Sequence, residues 1–228
     1  MTANPQRPRH ARERDDAFRI LIVSTGDICR SPLAVQLFLA RLPAAFAHHD
    51  TTAIEVSSAG TVAIDGHTME PAAASEATRL GVVDAPEHRA RRLQSEHIES
   101  ADLVIAMTRE HRAAVVKAVP RARRRAFTLI ELTRTLEAVA GGGAPVRPDA
   151  IGDGSLTEFF RSAIDAAEAC RIRPPRKGRE LDIEDPYRRK AAVYRRSADA
   201  VAQHVDRLLA AMQSLADSEP ADVSGTPA

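Results

Sequence analysis

One short stretch of this chain carries most of the chemistry on offer: Ser24-Thr25-Gly26-Asp27-Ile28-Cys29-Arg30-Ser31-Pro32. It follows an apolar run and leads straight into a helical pattern. Gly26 permits a tight turn, and Ser31 with Pro32 suits the N-cap and first position of a helix. A strand–loop–helix junction of this kind aims several backbone N–H groups and the positive helix end at one point, which makes an anion cradle of residues 25–31. Arg30 adds a planar fork matched to two phosphate oxygens. The same pattern also serves an ordinary strand-to-helix turn with a surface arginine. Neither nucleotide fingerprint is present, since there is no G-x-x-x-x-G-K-[ST] and no G-x-G-x-x-G. Far along the chain, Asp185-Pro186-Tyr187 offers a carboxylate beside an aromatic, although an Asp-Pro pair by itself reads as a turn.

The elements that would position these groups are legible as alternating patterns. Phe18–Val23 and Asp102–Met107 are nearly continuous apolar runs of the kind found in buried parallel strands. Ile54–Ser58 and Ala126–Ile130 make two more strands. Between them, Pro32–Leu42 has helical spacing, Pro71–Leu80 stops at Gly81, and Thr108 caps a helix to about Val119. A closing helix over Lys190–Leu215 repeats apolar residues at Val201, Val205, Leu208 and Met212. Such alternation predicts a single α/β domain of three layers over residues 17–216, with a four-stranded parallel sheet, helices on both faces and the loop after strand 1. Residues 1–16 and 217–228 read as polar tails. Residues 141–183 read as an insertion on the surface, with a capping-box spacing at Ser155 and Glu158 and a basic run from Arg171 to Arg179.

Composition removes several classes of function. The 228 residues include 32 Lys and Arg against 31 Asp and Glu, a formal net charge of +1, so a global grip on nucleic acid is not expected. Two cysteines, Cys29 and Cys170, build neither a disulfide framework nor a four-sulfur zinc site. No apolar run approaches the ~20 residues that span a bilayer, and no signal-peptide core is present. The expectation is a cytoplasmic protein without membrane contact, metal or other cofactor. His67, His97 and His111 lack ligand spacing and read as surface or capping residues.

Several segments resemble the low-molecular-weight protein tyrosine phosphatases. Val23–Ala34 resembles that family's phosphate loop, whose signature is a nucleophilic cysteine, five residues, then Arg-Ser-Pro. Val56–Thr61 is similar to its second strand and turn, Ala101–His111 to its third strand and following helix start, and Asp185–Tyr187 to the segment carrying its general acid. The resemblance implies phosphate binding by Thr25, Gly26, Asp27, Ile28, Cys29, Arg30 and Ser31. It further implies catalysis through position 24, Arg30 and Asp185, with Tyr187 walling the substrate cleft. Val62–Asp65 has no aromatic where many members carry one on the opposite lip.

Two departures bear on activity. The nucleophilic cysteine falls on Ser24, whose hydroxyl has no accessible alkoxide near neutral pH and needs an adjacent base; no histidine lies in the loop to serve. The second is Asp27, where the family usually has asparagine. A carboxylate aimed at bound phosphate would cost roughly 3 kcal/mol per charge pair at ~5 Å and an effective dielectric of ~20, and less if turned away or protonated. Cys29 matches a cysteine that protects the family's nucleophile as a disulfide, impossible here with Ser24. It reads as a small buried residue rather than a substitute nucleophile. Arsenate reduction on this fold needs further resolving cysteines, and only Cys170 remains. The expectation is a phosphatase-like protein that binds a phosphorylated protein or a small phosphate ester with hydrolysis lost or impaired. The alternatives are an active phosphatase with an engineered Cys-to-Ser change and a non-catalytic interaction module.

Overall fold

The computed structural model describes residues 17–82, 87–142, 155–171 and 180–217. The expected tails, except Asp217 at the end of α7, and most of the basic run at 171–179 lie outside the described residues. Four strands, β1 (Phe18–Ser24), β2 (Ile54–Gly60), β3 (Leu103–Ala106) and β4 (Ala126–Thr128), pair in parallel in the order β2-β1-β3-β4. The β1 side chains alternate between two cores: Phe18, Ile20 and Ile22 enter one, Leu21 and Val23 the other. Both faces of the strand are covered, which is why its sequence is a continuous apolar run.

The larger core is closed by α1 (Arg30–Ala45), α2 (Pro71–Arg79), α5 (Leu129–Ala140), α6 (Leu156–Ala169) and α7 (Ala191–Ala216). The smaller lies under α3 (Ser95–Ser100) and α4 (Arg109–Ala118). Chain order moves from β1 outward to β2, then across to β3, so the carboxyl end of β1 sits at the switch point where such sheets bind ligands. Among the described residues no helix is long and apolar enough to cross a membrane.

Three expectations change. The run at Ala126–Ile130 stops being strand at Thr128, whose hydroxyl accepts from the Glu131 N–H while Glu131 accepts from the Thr128 N–H. This capping box launches α5, whose first two residues, Leu129 and Ile130, were expected to extend the strand. The 141–183 segment is not confined to the surface. Its α6 is capped by Ser155 through the Thr157 N–H, not through a box with Glu158. The buried stripe of that helix includes Phe159 and Phe160, which pack with Phe18 and Phe46 at ring-centroid distances of 5.4–6.3 Å. An amphipathic helix must bury its apolar stripe, and here the sheet receives it. Lastly, α1 begins at Arg30 with Cys29 as its N-cap, so Ser31 is not the cap. Its hydroxyl is engaged elsewhere.

Candidate phosphate-binding and active site

The loop between β1 and α1 is braced from every side by groups distant in sequence. The Ser24 and Thr25 carbonyls accept from the N–H groups of Thr61 and Val62, each at 2.9 Å. The Ile28 carbonyl accepts from the Glu70 N–H at 2.8 Å, and the Asp27 carbonyl from His88 Nε2 at 2.6 Å. Four carbonyls of the loop, those of Ser24, Thr25, Asp27 and Ile28, are thus engaged by the surrounding chain. Among the described residues, no protein acceptor is hydrogen-bonded by the N–H groups of residues 26–30. Gly60 lies tight beneath the loop: a Cβ there would meet Thr25 O at 2.6 Å and Asp27 N at 2.8 Å. Only glycine admits that approach.

Ser24 ends β1 and is 2 % exposed at the base of a cleft of about 290 Å³. The cleft is also lined by Thr25, Gly26, Ile28, Cys29, Arg30, Asp185 and Tyr187. The structure thus gathers the residues singled out in the sequence, with Asp27 and Ser31 just beneath. Arg30 is buried, and its guanidinium bonds the Ile183 carbonyl at 3.1 Å and Asp185 Oδ2 at 2.8 Å. Asp185 is half-exposed and accepts from the Tyr187 N–H at 3.2 Å, so the Asp-Pro turn and the contact with Arg30 occur together. Exposed Val62 and Ile64 line the cleft, as does half-exposed Tyr187. A second hollow of about 520 Å³ shares Thr25, Arg30 and Asp185 and is lined further by Glu110, His111 and Asp182.

Asp27 adopts a left-handed conformation, φ 54°, which Asp and Asn tolerate. Its carboxylate does not face the cleft. It is fully buried, accepting from the Ser31 hydroxyl at 2.8 Å and the Arg91 N–H at 3.1 Å. Ser31 in turn lies 2.6 Å from Ser24 Oγ. Burial raises the Asp27 pKa, opposed by hydrogen bonds from Ser58, Arg91 and Ser31 and by the nearby His88. Cys29 is buried, and desolvation, with Glu70 and Asp185 adding to it, pushes its thiol up to about 12. It stays protonated and unreactive.

His111 is neither at the surface nor a simple cap. It is buried, joining Thr25 Oγ1 through Nε2 at 2.8 Å and Thr108 Oγ1 through Nδ1 at 2.9 Å. Burial, with the Arg30 charge, pushes its pKa down to about 4, so the ring is neutral and ties the loop to α4. His97 does cap α3, accepting from the Gln94 N–H, and His67 lines the cleft. Sequence reasoning gives no signal for His88, and it reaches Ser58 and Gly60 only as members of Val56–Thr61, where nothing announces a contact with position 25 or 27. Among the described residues, no group of three or more His, Cys, Asp or Glu side chains is placed to hold a metal.

A parallel α/β sheet with a strand-to-helix loop and a buried arginine at its switch point is the arrangement in which doubly wound α/β proteins place their ligand sites. The particular family follows from comparison. Residues 19–140 match the model of the low molecular weight phosphotyrosine protein phosphatases, and the chain belongs to that family. A low molecular weight protein-tyrosine-phosphatase of Streptomyces coelicolor is 33% identical over 157 residues, 67% of this chain and 88% of that protein. A protein-arginine-phosphatase of Geobacillus stearothermophilus is 36% identical over 112 residues, 49% of this chain and 69% of the relative. A solved arginine phosphatase from Geobacillus stearothermophilus superposes with a TM-score of 0.56 at 27% identity, covering 85% of this chain and 91% of the other. The crystal structure of a low molecular weight protein tyrosine phosphatase from T. tengcongensis gives 0.57 at 25% identity, covering 85% and 99%.

Proposed function

We propose that this chain binds a phosphate monoester or a phosphorylated protein side chain in the 25–31 cradle, and that repeated hydrolysis is lost or strongly impaired because Ser24 stands where the family has its catalytic cysteine. The observation that carries the reading is the bracing of the loop carbonyls by the surrounding chain above a buried arginine, with Ser24 at the base. A hydroxyl does not ionise near neutral pH as a loop thiolate does, so the attack that starts each family turnover is missing its ready nucleophile. In this role Arg30 turns its fork from Asp185 to the phosphate oxygens, and Asp185 is left beside the leaving oxygen. Val62, Ile64 and Tyr187 offer apolar walls to the body of the phosphorylated side chain. Two relatives are named for arginine and tyrosine phosphatase activity, which supports trying phosphorylated proteins first.

The test is the melting temperature with inorganic phosphate or vanadate. Ligand at 100 times its Kd stabilises by ~2.7 kcal/mol, a shift of several degrees for a domain this size. Arg30→Ala removes a charged contact of ~1.5–3 kcal/mol and abolishes most of that shift. An unchanged shift in the variant would place the anion elsewhere. Loss of all binding in the wild type would favour the interaction-module reading.

A further inference from the structure

On the face of the sheet that carries the smaller core, β2 is only partly covered. Glu55 is exposed and Ser57 half-buried there, because α3 spans just six residues. Between α3 and the β1–β2 pair lies a hollow of about 230 Å³ that shares no residue with the cleft or with the larger hollow beside it. Arg19, Glu55 and Ser57 line it from the strands, on the same face as Leu21, since residues two apart on a strand point the same way. Arg91, from the segment before α3, and His97, from α3 itself, complete its polar wall.

The polar groups of this hollow do not balance. Arg19 Nε donates to Glu55 Oε2 at 2.9 Å, which pairs one of the two guanidinium groups. Arg91 Nε donates to the Ser58 carbonyl at 2.6 Å, but its two Nη groups have no partner among the described residues. His97 adds a further donor. Its Nδ1 accepts from the Gln94 N–H at 3.2 Å, so the hydrogen of the neutral ring sits on Nε2. Burial and the Arg91 charge lower the His97 pKa against the opposing pull of Glu96 and Asp65, which keeps the ring neutral. The hydroxyls of Ser57 and Ser100 already donate to the carbonyls of Ile20 and His97. Donation to a ligand therefore falls to Arg91, His97 and Arg19.

Two guanidinium groups facing one carboxylate leave room for one more anion, and a carboxylate meets a guanidinium fork through two parallel bonds. We propose that this hollow binds a small organic acid, its carboxylate on the Arg91 fork and the His97 Nε2–H and its carbon body against Leu21 and Ala101, and that occupancy is felt in the phosphate cradle through Arg91. The main chain of Arg91 already belongs to the cradle's support. Its N–H donates to Asp27 Oδ2 at 3.1 Å, and its carbonyl accepts from the Gly60 N–H at 2.9 Å. A ligand that fixes the guanidinium fixes this support as well, so a phosphate arriving afterwards orders less of the protein. The effect is reciprocal, as any coupling between two sites must be. The acid site stands on its own donors, whereas the coupling rests on the phosphate-binding reading above.

The probe is succinate, added first to the full chain carrying Arg30→Ala, in which the cradle has lost its charged anchor. At 100 times its Kd, succinate should raise the melting temperature by several degrees. Adding Arg91→Gln should weaken succinate by about tenfold or more, the loss of a charged contact. Glu55→Gln should act in the opposite direction and tighten it, because a competing carboxylate is removed at an exposed position. Structural damage would not give opposite signs. With Arg30 restored, calorimetric titration of inorganic phosphate under saturating succinate should show the Arg30-dependent Kd falling about fivefold, with no such gain in Arg91→Gln. Competition for the cradle would raise that Kd instead. No succinate shift with Arg30→Ala, or binding that neither Arg91→Gln nor Glu55→Gln moves, overturns the acid site. Bound succinate with phosphate affinity unchanged or weakened overturns the coupling. A chain that takes succinate but no phosphate removes the phosphate-binding reading, and the coupling with it, and leaves the acid site standing.

Discussion

The cradle after β1 and the arm that carries Asp185 meet at one ion pair, yet they are built on opposite principles. In the cradle, the carbonyls of Ser24, Thr25, Asp27 and Ile28 are held by Thr61 and Val62 just after β2, by Glu70 just before α2 and by His88, and Gly60 leaves no slack below. The arm is fastened at its base, where the Ile183 N–H donates to the Met107 carbonyl and Ser197 to the Glu184 carbonyl. Beyond that, Asp185 is half-exposed, Tyr187 is 44% exposed, and Arg188 takes a positive φ of 57°. A group that stabilises charge gains from dipoles fixed before the ligand arrives. A group that gives or takes a proton needs access to the leaving atom and to water. The difference therefore separates binding from protonation: damage to the cradle should remove both, and damage to the arm only the second.

The largest expected effect tests whether that division leaves the nucleophile as the missing part. Ser24→Cys should raise aryl phosphate turnover by about 10³-fold or more, within the ~10⁶ that loss of a nucleophile costs. Steady-state release of nitrophenolate measures it, and a variant that binds vanadate yet stays inactive would show a cleft reshaped for binding. In that revertant, Asp185→Asn should lower turnover by ~10²–10⁴-fold for a poor leaving group and much less for nitrophenolate. Vanadate affinity should hold or rise, since a carboxylate that competes for Arg30 is gone. Equal loss of binding and turnover would break the comparison.

Gly60→Ala probes the cradle without touching a functional group. Its Cβ meets the backbone of Thr25 and Asp27, and even about 1.4 kcal/mol of misfit in the ligand-bound loop weakens phosphate tenfold. The melting shift with phosphate reads this directly. The smallest effect concerns His111. Its folded pKa of about 4 lies below the ordinary 6.5, so between those values the unfolded chain binds a proton the folded chain refuses. Stability therefore falls as pH drops from about 6.5 toward 4, by at most roughly 3 kcal/mol. His111→Asn should flatten this part of the profile of melting temperature against pH. An unchanged slope would mean the histidine does not hold the loop in its neutral form.

The sequence by itself determined the order of the four strands, the helices that became α1, α2, α4 and α7, the place of the cradle, and the presence of serine and aspartate at positions 24 and 27. Those features are written in neighbouring residues: apolar runs, a glycine turn, and an arginine at the entrance to a helix. It also marked Asp185 and Tyr187 as a pair. What the tertiary structure decided were partnerships across long stretches of chain. Asp27 faces inward because Ser58, His88 and the Arg91 N–H converge on it from other elements. His111 reaches Thr25 across the sheet's edge, and Gly60 fits under the loop only because β2 pairs with β1. The same holds for α6, whose polar and basic flanks suggested a surface addition while its phenylalanines found Phe18 and Phe46. Local patterns set which conformations a segment favours. The direction of a buried carboxylate, and the element an apolar stripe packs against, depend on donors and surfaces that only the closed fold brings within hydrogen-bond or van der Waals reach.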